Sequence, residues 1–359
     1  MEDEVSKAIV LLQNCYHLRM DPITQGLIGA TASLTAANLK HKREHVKIAA
    51  FLGLLGGMAP DLDVFIRSQD DPLLFLEFHR HFTHSLFFIP IAGVLFTLLL
   101  YAIVRKQCNY RQTFFYVTLG YASHGLLDAC TTYGTQLLWP FSDTRVAWNI
   151  ISVIDPIFTV SLLLLVVIII FSSRLRITYL ACVWVVMYLC ADVLQHQRAV
   201  DSAWQLADQR GHTPKLIKAK PSFGNILVWK TIYQEGEYFY VDAIRAGVDI
   251  QFIPGESIRQ LDVASDFPWL DQQSQQAMDI ERFRWFSNGY LAVDPRRAHH
   301  IIDIRYSMLP HQATGLWGIA LTPEADHHQH VSYETFRSND METRQLFWHM
   351  ITGAYESAQ

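Results

Sequence analysis

The sequence lacks the signatures of several large protein classes. No block of basic residues marks a nucleic-acid surface, and the formal net charge is −5, so a nucleic-acid partner is excluded. The motifs of P-loop NTPases, GxSxG hydrolases, HExxH zinc proteases and dinucleotide-binding enzymes are absent. No internal repeat or low-complexity tract is visible. Function therefore has to be sought in clusters of individual side chains.

Cysteine is scarce, and a clean signal peptide is missing. The five cysteines are Cys15, Cys108, Cys130, Cys182 and Cys190. They form no CxxC pair, so we expect small buried side chains rather than a disulfide framework. Residues 1–19 are acidic at the start and have no clear apolar core. We treat them as an N-terminal extension, with Met20 as an alternative start.

Apolar residues are concentrated in the first half of the chain. A spanning helix needs about 20 mostly apolar residues, and three stretches meet that length: 85–104, 151–171 and 177–194. Two weaker candidates are 46–60 and 113–129. The weakest, 23–38, is rich in small residues and is a candidate to span, to re-enter or to pack against its neighbours. The pattern predicts an α-helical multispanning membrane domain of about five to six segments over residues 20–195.

Basic residues alternate between the predicted loops. Nine of them fall in every second loop: Lys40, Lys42, Arg43, Lys47, Arg105, Lys106, Arg111, Arg174 and Arg176. The intervening loops hold only Arg67, Arg80 and Arg145. Positive charge prefers the cytoplasmic side. We therefore expect loops 60–84 and 129–150, and everything after residue 194, on the extracytoplasmic side.

Acidic and imidazole groups gather at the predicted outer ends of these segments. The candidates for metal ligands are Asp61, Asp63, His79, His84, His124 and Asp128. His124 and Asp128 stand one helical turn apart and project from one face. Buried charge next to hydrocarbon is expensive unless it is paired or bound to an ion. Imidazole with carboxylate favours zinc, manganese or iron over magnesium or calcium.

Each candidate also has a purely structural interpretation. His124 and Asp128 would form a helix-stabilising pair, Asp61 and Asp63 a solvated turn, and His79 an ordinary interfacial histidine. Arg80, with its fork-shaped guanidinium, is a candidate to hold phosphate or carboxylate, or else to pair with Glu77 or Asp71. The roles of two further residues remain open. Tyr133 is a candidate to orient substrate or to anchor at the interface, and Asp155 a candidate to support a ligand or to cap a helix.

Four segments in this order resemble the YdjM-like family of membrane-bound, metal-dependent hydrolases: MAPDLD, HRHFTHSL, GYASHGLLDACTTYGTQLLWPFS and IDPIF. The resemblance covers roughly residues 20–171. It implies a multi-pass protein of the bacterial inner membrane. The motif positions of the family correspond to Asp61 and Asp63, to His79 with Thr83–Ser85, and to His124 and Asp128, as well as to 132–134 and 155–156. His81 stands where relatives can have glycine, so it ranks below the other histidines.

A hydrolytic mechanism is the leading hypothesis. A divalent metal, zinc or manganese, would polarise a carbonyl or phosphoryl oxygen and acidify water. The catalytic candidates are Asp61 or Asp63 as general base or bridge, His81 as proton shuttle and Arg80 for the anion. The expected partners are membrane lipids, with a lipid-linked phosphoester or ester as substrate. The alternatives are a non-enzymatic metal-ion transporter, a metal-stapled scaffold, or a protein whose outer domain binds or signals.

Residues 196–359 predict a small extracytoplasmic α+β domain. A helix over 196–210 and a basic linker over 214–220 precede strands at 226–233, 238–244 and 248–252, with a hairpin turn at 234–236. A helix over 276–286 and strands at 290–293, 300–306 and 316–321 follow. The histidines of 326–330 and 299–300 suggest metal binding, but we expect solvated loops there.

Overall fold

The computed structural model describes residues 21–40, 43–172, 174–337 and 340–355. The predicted N-terminal extension and both alternative starts lie outside these residues. The chain divides into two compact units. The first holds the described residues up to Ile66 together with Phe78–Asp192, and the second holds Arg67–Glu77 and the described residues from Val193 onward. The domain limits at residues 19 and 195 remain predictions.

The first unit is helical. Its α-helices, with two that continue into the second unit, are α1 (Pro22–Leu39), α2 (Val46–Met58), α3 (Leu74–Phe78), α4 (Ile89–Val104), α5 (Tyr110–Cys130), α6 (Pro156–Ser172) and α7 (Leu175–Gln209). The 3-10 segments are Arg43–His45, Ala59–Phe65 and Phe82–His84. Pro60 ends the α-helical hydrogen bonding of α2, and the chain continues as a 3-10 turn that carries Asp61 and Asp63.

Glycines bring three helices of this unit into backbone contact. A methyl group on Gly53 of α2 would collide with the Gly29 carbonyl of α1, and one on Gly120 of α5 would collide with the Gly53 carbonyl. Small residues allow such close approach in an apolar environment. The contact fixes the carboxyl end of α2 against α5, where most of the candidate ligands lie.

Two helices among the described residues are long and apolar enough to cross a membrane, Val46–Phe65 and Arg176–Gln209. A third is counted if Leu74–His84 and Ile89–Val104, bent by 88°, form one broken span. The shorter apolar helix Pro156–Ser172 covers most of the predicted segment 151–171. The weak candidate 46–60 becomes a full-length one because the 3-10 turn extends α2 to Phe65. The prediction of five to six segments remains a prediction.

The second unit contains two antiparallel four-stranded sheets, with strand orders β1-β2-β3-β4 and β5-β6-β7-β8. The strands are β1 (Ile217–Pro221), β2 (Val228–Glu235), β3 (Tyr238–Ala246), β4 (Ile250–Arg259), β5 (Leu291–Val293), β6 (His300–Asp303), β7 (Trp317–Ala320) and β8 (Ser332–Thr335). Its helices after α7 are α8 (Val263–Asp266), α9 (Gln275–Phe286) and α10 (Met341–Thr352).

Most predicted elements of this unit are confirmed. The hairpin at 234–236 joins β2 to β3, and Gly236 has the positive φ of 58° that the turn requires. The linker predicted over 214–220 is wrong, because residues from Ile217 form β1 and pair with β2. Ile217 and Ala219 are buried in alternation, but the lysines between them hide this pattern in the sequence. Strand β8 and helix α10 were not predicted.

Candidate metal centre

Four predicted ligands meet in the first unit. Asp61 comes from the 3-10 turn after α2, His84 from the segment before α4, and His124 and Asp128 from α5. One ligand atom from each lies within 4.8 Å of the others, and all four side chains are buried. Asp61 Oδ1 is 3.4 Å from His124 Nε2 and 3.6 Å from His84 Nε2. Asp128 Oδ2 is 3.1 Å from His84 Nε2 and 3.6 Å from His124 Nε2.

The hydrogen bonds of the two imidazoles determine which nitrogen faces the others. His124 Nδ1 donates to the Gly57 carbonyl at 2.5 Å. His84 Nδ1 lies 2.9 Å from Thr83 Oγ1 and 3.2 Å from Asp63 Oδ2, and Thr83 in turn donates to Asp63. With Nδ1 protonated in both rings, the two Nε2 lone pairs point at one another across 2.9 Å. They repel unless a cation or a proton lies between them.

The spacing of the donors fits a small cation. Zinc binds imidazole nitrogen and carboxylate oxygen at about 2.0–2.2 Å, so the donors of a tetrahedral site lie roughly 3.3 Å apart. The five measured donor–donor distances run from 2.9 to 3.6 Å. The residues present therefore fit a divalent metal of the zinc type.

A second donor group adjoins the first and shares Asp61 with it. Asp61, Asp63 and His79 each offer an atom within 4.8 Å of the other two. His79 Nδ1 lies 2.9 Å from Asp63 Oδ1. Two buried atoms of this group, His79 Nε2 and Asp61 Oδ2, have no hydrogen-bond partner among the described residues. Among the residues that the structure describes, Asp61 is thus the one placed to bridge two ions.

Arg80 lies inside the site. Its side chain is 1% exposed, and its Nε is 2.9 Å from Asp128 Oδ2. Its Nη1 donates to Thr131 Oγ1 at 2.8 Å, and its backbone N–H, at a φ of 63°, donates to Asp63 Oδ2. The alternative of a salt bridge to Asp71 or Glu77 is wrong, because both of those carboxylates pair with Arg282.

The buried charges of the site do not balance. Asp61, Asp63 and Asp128 are at most 6% exposed and face the single guanidinium of Arg80. With neutral imidazoles, this leaves an excess of two negative charges. Unpaired buried charge is strongly unfavourable, and one divalent cation would cancel the excess.

Several polar partners of the site were missed from the sequence. Gln25 of α1 is fully buried and donates from Nε2 to Asp128 Oδ1. Tyr121 donates from its hydroxyl to the Thr83 carbonyl at 2.6 Å, which holds the turn before His84. A glutamine inside an apolar segment rich in small residues is a signal that could have identified Gln25. Nothing local in the sequence links Tyr121 to Thr83.

Besides Arg80, three predicted candidates lie outside the two donor groups, namely His81, Asp155 and Tyr133. His81 packs against the rings of Phe78, Phe82 and Trp139. Asp155 accepts from the Phe158 backbone N–H and the Tyr188 hydroxyl, so it caps α6.

Tyr133 is 3% exposed, with its ring 5.3 Å from that of His79 and 4.9 Å from the Arg80 guanidinium. It is a buried neighbour of the site rather than an interfacial anchor.

The histidine-rich loops of the second unit give no comparable group among the described residues. His327 and His328 are exposed, as expected. His330 pairs with Asp279, and His300 with Glu334.

Comparison with known proteins supports the membrane assignment. The family model described as YdjM inner membrane protein matches residues 20–199. The chain is 34% identical over 109 residues to inner membrane protein YbcI of Escherichia coli (strain K12), covering 29% of this chain and 61% of that protein. It is 30% identical over 108 residues to the Bacillus subtilis (strain 168) protein described as uncharacterized protein YfhP, covering 30% of this chain and 32% of that protein.

The matches therefore span less than two thirds of either relative. No solved structure matches the chain. The family match covers half of the sequence and includes every residue of both donor groups. The chain belongs to the YdjM inner membrane protein family.

Proposed function

We propose that this protein is a membrane-embedded, metal-dependent hydrolase in which Asp61, His84, His124 and Asp128 hold a divalent ion, zinc or manganese. The convergence of two Nε2 atoms with two carboxylates carries the proposal. The excess of two buried negative charges, which holds when the imidazoles are neutral, also supports it. A bound ion would supply a Lewis acid that polarises a phosphoryl or carbonyl oxygen and lowers the pKa of water.

The hydrogen bonds assign different tasks to the two aspartates of the DxD motif. Asp63 accepts from the His79 ring, the Arg80 backbone N–H and the Thr83 hydroxyl. It therefore orients the imidazoles and has no free oxygen for proton transfer. Asp61 keeps its Oδ2 without a hydrogen bond, which makes it the better candidate for the general base.

Arg80 and His81 keep more limited parts in this proposal. The Arg80 guanidinium contacts Asp128 and Thr131, so it positions the metal-binding carboxylate of Asp128 rather than holding the substrate anion. His81 lies outside both donor groups, and its ring packs against Phe82 and Trp139. We retain it only as a proton shuttle between the site and water.

The proposed topology is a multi-pass chain of five to six segments with the C-terminal domain outside the cytoplasm. The alternation of basic residues between loops supports this orientation. Residues Arg67–Glu77, between two predicted segments, belong to the second unit, where Asp71 and Glu77 pair with Arg282. That grouping agrees with a single side of the membrane for loop 60–84 and the C-terminal domain. A site at a segment end on that side suits a phosphoester or ester of an amphiphile.

Metal analysis and hydrolysis of lipid phosphoesters by the purified full chain test this proposal. We expect bound metal and metal-dependent release of phosphate in the wild type, and loss of both in His124→Ala. His328→Ala, which removes an exposed imidazole, is the matched control and keeps both. Equal metal content in His124→Ala and wild type would refute the site. Bound metal without turnover on phosphoesters or esters would favour a scaffold or an ion transporter instead.

A further inference from the structure

Three lysines of the second unit share one face of the first sheet. Lys220 of β1 stands directly opposite Lys230 of β2 in the antiparallel register, so their side chains lie on the same face. Lys218 is two residues along β1 and is on that face too. Neighbouring ammonium groups repel each other, and sheets normally avoid like charges at paired positions.

Lys220 and Lys230, which stand opposite each other, differ in their surroundings. The Lys230 side chain is almost fully buried, and its Nζ donates to Ser307 Oγ and to the Gln312 carbonyl, each at 2.7 Å. Lys220 remains partly exposed, with its Nζ 3.6 Å from the centre of the Tyr306 ring. Lys220 lies on the edge strand of the sheet. Lys220 is therefore the less buried of the two, and a ligand that contacts it lies on the sheet face that Lys230 shares.

The nearby carboxylates are already occupied. Asp303 is held by the Arg305 guanidinium, with contacts of 2.6 and 2.9 Å. Glu256 accepts from the Ala313 backbone N–H at 2.8 Å. Within the described part of the chain, no carboxylate lies at ion-pair distance from any of the three lysines.

Six ionisable side chains, including the pair itself, interact on or beside this face. The cations are Lys218, Lys220, Lys230 and Arg305, and the anions are Asp303 and Glu256, so full ionisation leaves an excess of two positive charges. Burial lowers the pKa of Lys230 to about 7. Burial, and next the neighbouring Lys230, hold the pKa of Lys220 well below its usual range. The fold therefore keeps two amines together at a cost that a bound anion would offset.

We propose that Lys220 and Lys230 form a binding site for a phosphate-type oxyanion in the C-terminal domain. With both lysines protonated, a dianion matches the excess of two positive charges, and its several oxygens can accept from both ammonium groups. A carboxylate would neutralise only half of that excess. The proposal is independent of the metal centre and of hydrolysis. Free phosphate and the phosphate of a lipid head group share the required chemistry.

Calorimetric titration of the metal-stripped full chain in detergent tests the site, since stripping removes any phosphate bound through the metal centre. The probes are inorganic phosphate and dihexanoyl phosphatidate. We expect saturable binding of at least one, weakened about tenfold or more in Lys220→Gln. Lys215→Gln removes the same charge from an exposed position just before β1 and should change affinity less than about twofold. Binding of phosphate alone identifies a free anion, and binding of phosphatidate alone identifies a head group.

A second measurement on the wild type keeps the test decisive if Lys220→Gln fails to fold. Sulfate stays a dianion at pH 8, and titrations in two buffers of different ionisation enthalpy give the protons taken up on binding. An anion raises the pKa of both lysines, so binding must take up protons. The proposal is overturned by an absence of saturable binding in the wild type, by equal affinity in Lys220→Gln, or by sulfate binding without proton uptake.

Discussion

Replacement of Asp61 by asparagine tests for a metal centre, because the substitution should change the stability of the protein in opposite directions without and with metal. Asp61 is the only residue shared by both donor groups. The substitution keeps the size of the side chain, replaces one acceptor oxygen by a donor NH2 group and removes one negative charge. Without metal it relieves repulsion among Asp61, Asp63 and Asp128, so the metal-free protein should become more stable.

With metal the change reverses. Even the loss of a partner behind a ligand lowers metal affinity by about 10–100-fold, so loss of a ligand carboxylate should weaken binding by at least about 100-fold. At a metal concentration 100 times the wild-type dissociation constant, binding stabilises the wild type by about 2.7 kcal/mol. The same concentration only equals the dissociation constant of Asp61→Asn, which leaves roughly 0.4 kcal/mol.

Thermal unfolding of the detergent-solubilised chain measures both effects, with a chelator in one arm and zinc or manganese in the other. We expect Asp61→Asn to unfold above the wild type in chelator and to lose most of the metal-induced rise. Asp143→Asn, in an exposed loop of the same unit, should respond to metal as the wild type does. A metal-induced rise of equal size in Asp61→Asn and wild type would refute the assignment of Asp61 as a ligand.

Three further predictions concern the rest of the fold. Burial lowers the pKa of Lys230 to about 7, far below its unfolded value of about 10.4. The free-energy cost of burying the Lys230 ammonium is complete below pH 7 and falls as pH rises. In anion-free buffer, the free energy of unfolding of the wild type should therefore rise, relative to that of Lys230→Met, by up to about 1.4 kcal/mol per pH unit between pH 7 and 10. Arg282→Ala removes the partner of two carboxylates in 67–77 and should lower the thermal midpoint and expose that segment to proteolysis, whereas Arg284→Ala, which loses only an exposed pair, should not. Gly120→Ala forces a methyl group into the backbone of the facing helix and should destabilise the first unit by several kcal/mol.

Each of these three predictions would be refuted by one result. A difference between wild type and Lys230→Met that stays constant with pH would show that Lys230 has an ordinary pKa. Equal proteolysis of Arg282→Ala and Arg284→Ala would show that the ion pairs do not hold 67–77. An unchanged thermal midpoint for Gly120→Ala would show that the helices do not approach at that glycine.

The convergence of the candidate ligands could be anticipated from the sequence, whereas the number of membrane segments remains a prediction. The spacing of His124 and Asp128 needs only helical periodicity, and Pro60 followed by Asp61 and Asp63 marks the end of an apolar segment. Such local signals survive without knowledge of tertiary contacts. Gln25 and Tyr121 were not predicted because their partners lie on other elements. Strand β1 was not predicted because its lysines interrupt the apolar alternation. The segment count depends on lengths and bends, such as the 88° break before Ile89, that composition does not encode.

The ranking of the two aspartates likewise required the structure. In the sequence, Asp61 and Asp63 are equivalent members of a DxD motif. In the fold, Asp63 receives three hydrogen bonds from the turn that contains His79, Arg80 and Thr83, while Asp61 keeps an oxygen free. The motif predicts where the carboxylates are, and the turn that follows determines what each can do.

The same electrostatic reasoning applies separately to both units. The metal centre of the first unit buries three carboxylates beside the Arg80 guanidinium, and the second unit places two lysines side by side with no carboxylate at ion-pair distance among the described residues. A protein that needed only stability would replace such groups with apolar side chains of similar size, which is often neutral or stabilising. An unbalanced buried charge is instead what a binding site requires, because the ligand completes the balance. Since the two imbalances have opposite sign, the metal centre should select a cation and the lysine pair an anion, and loss of either ligand should leave the other unit's affinity unchanged.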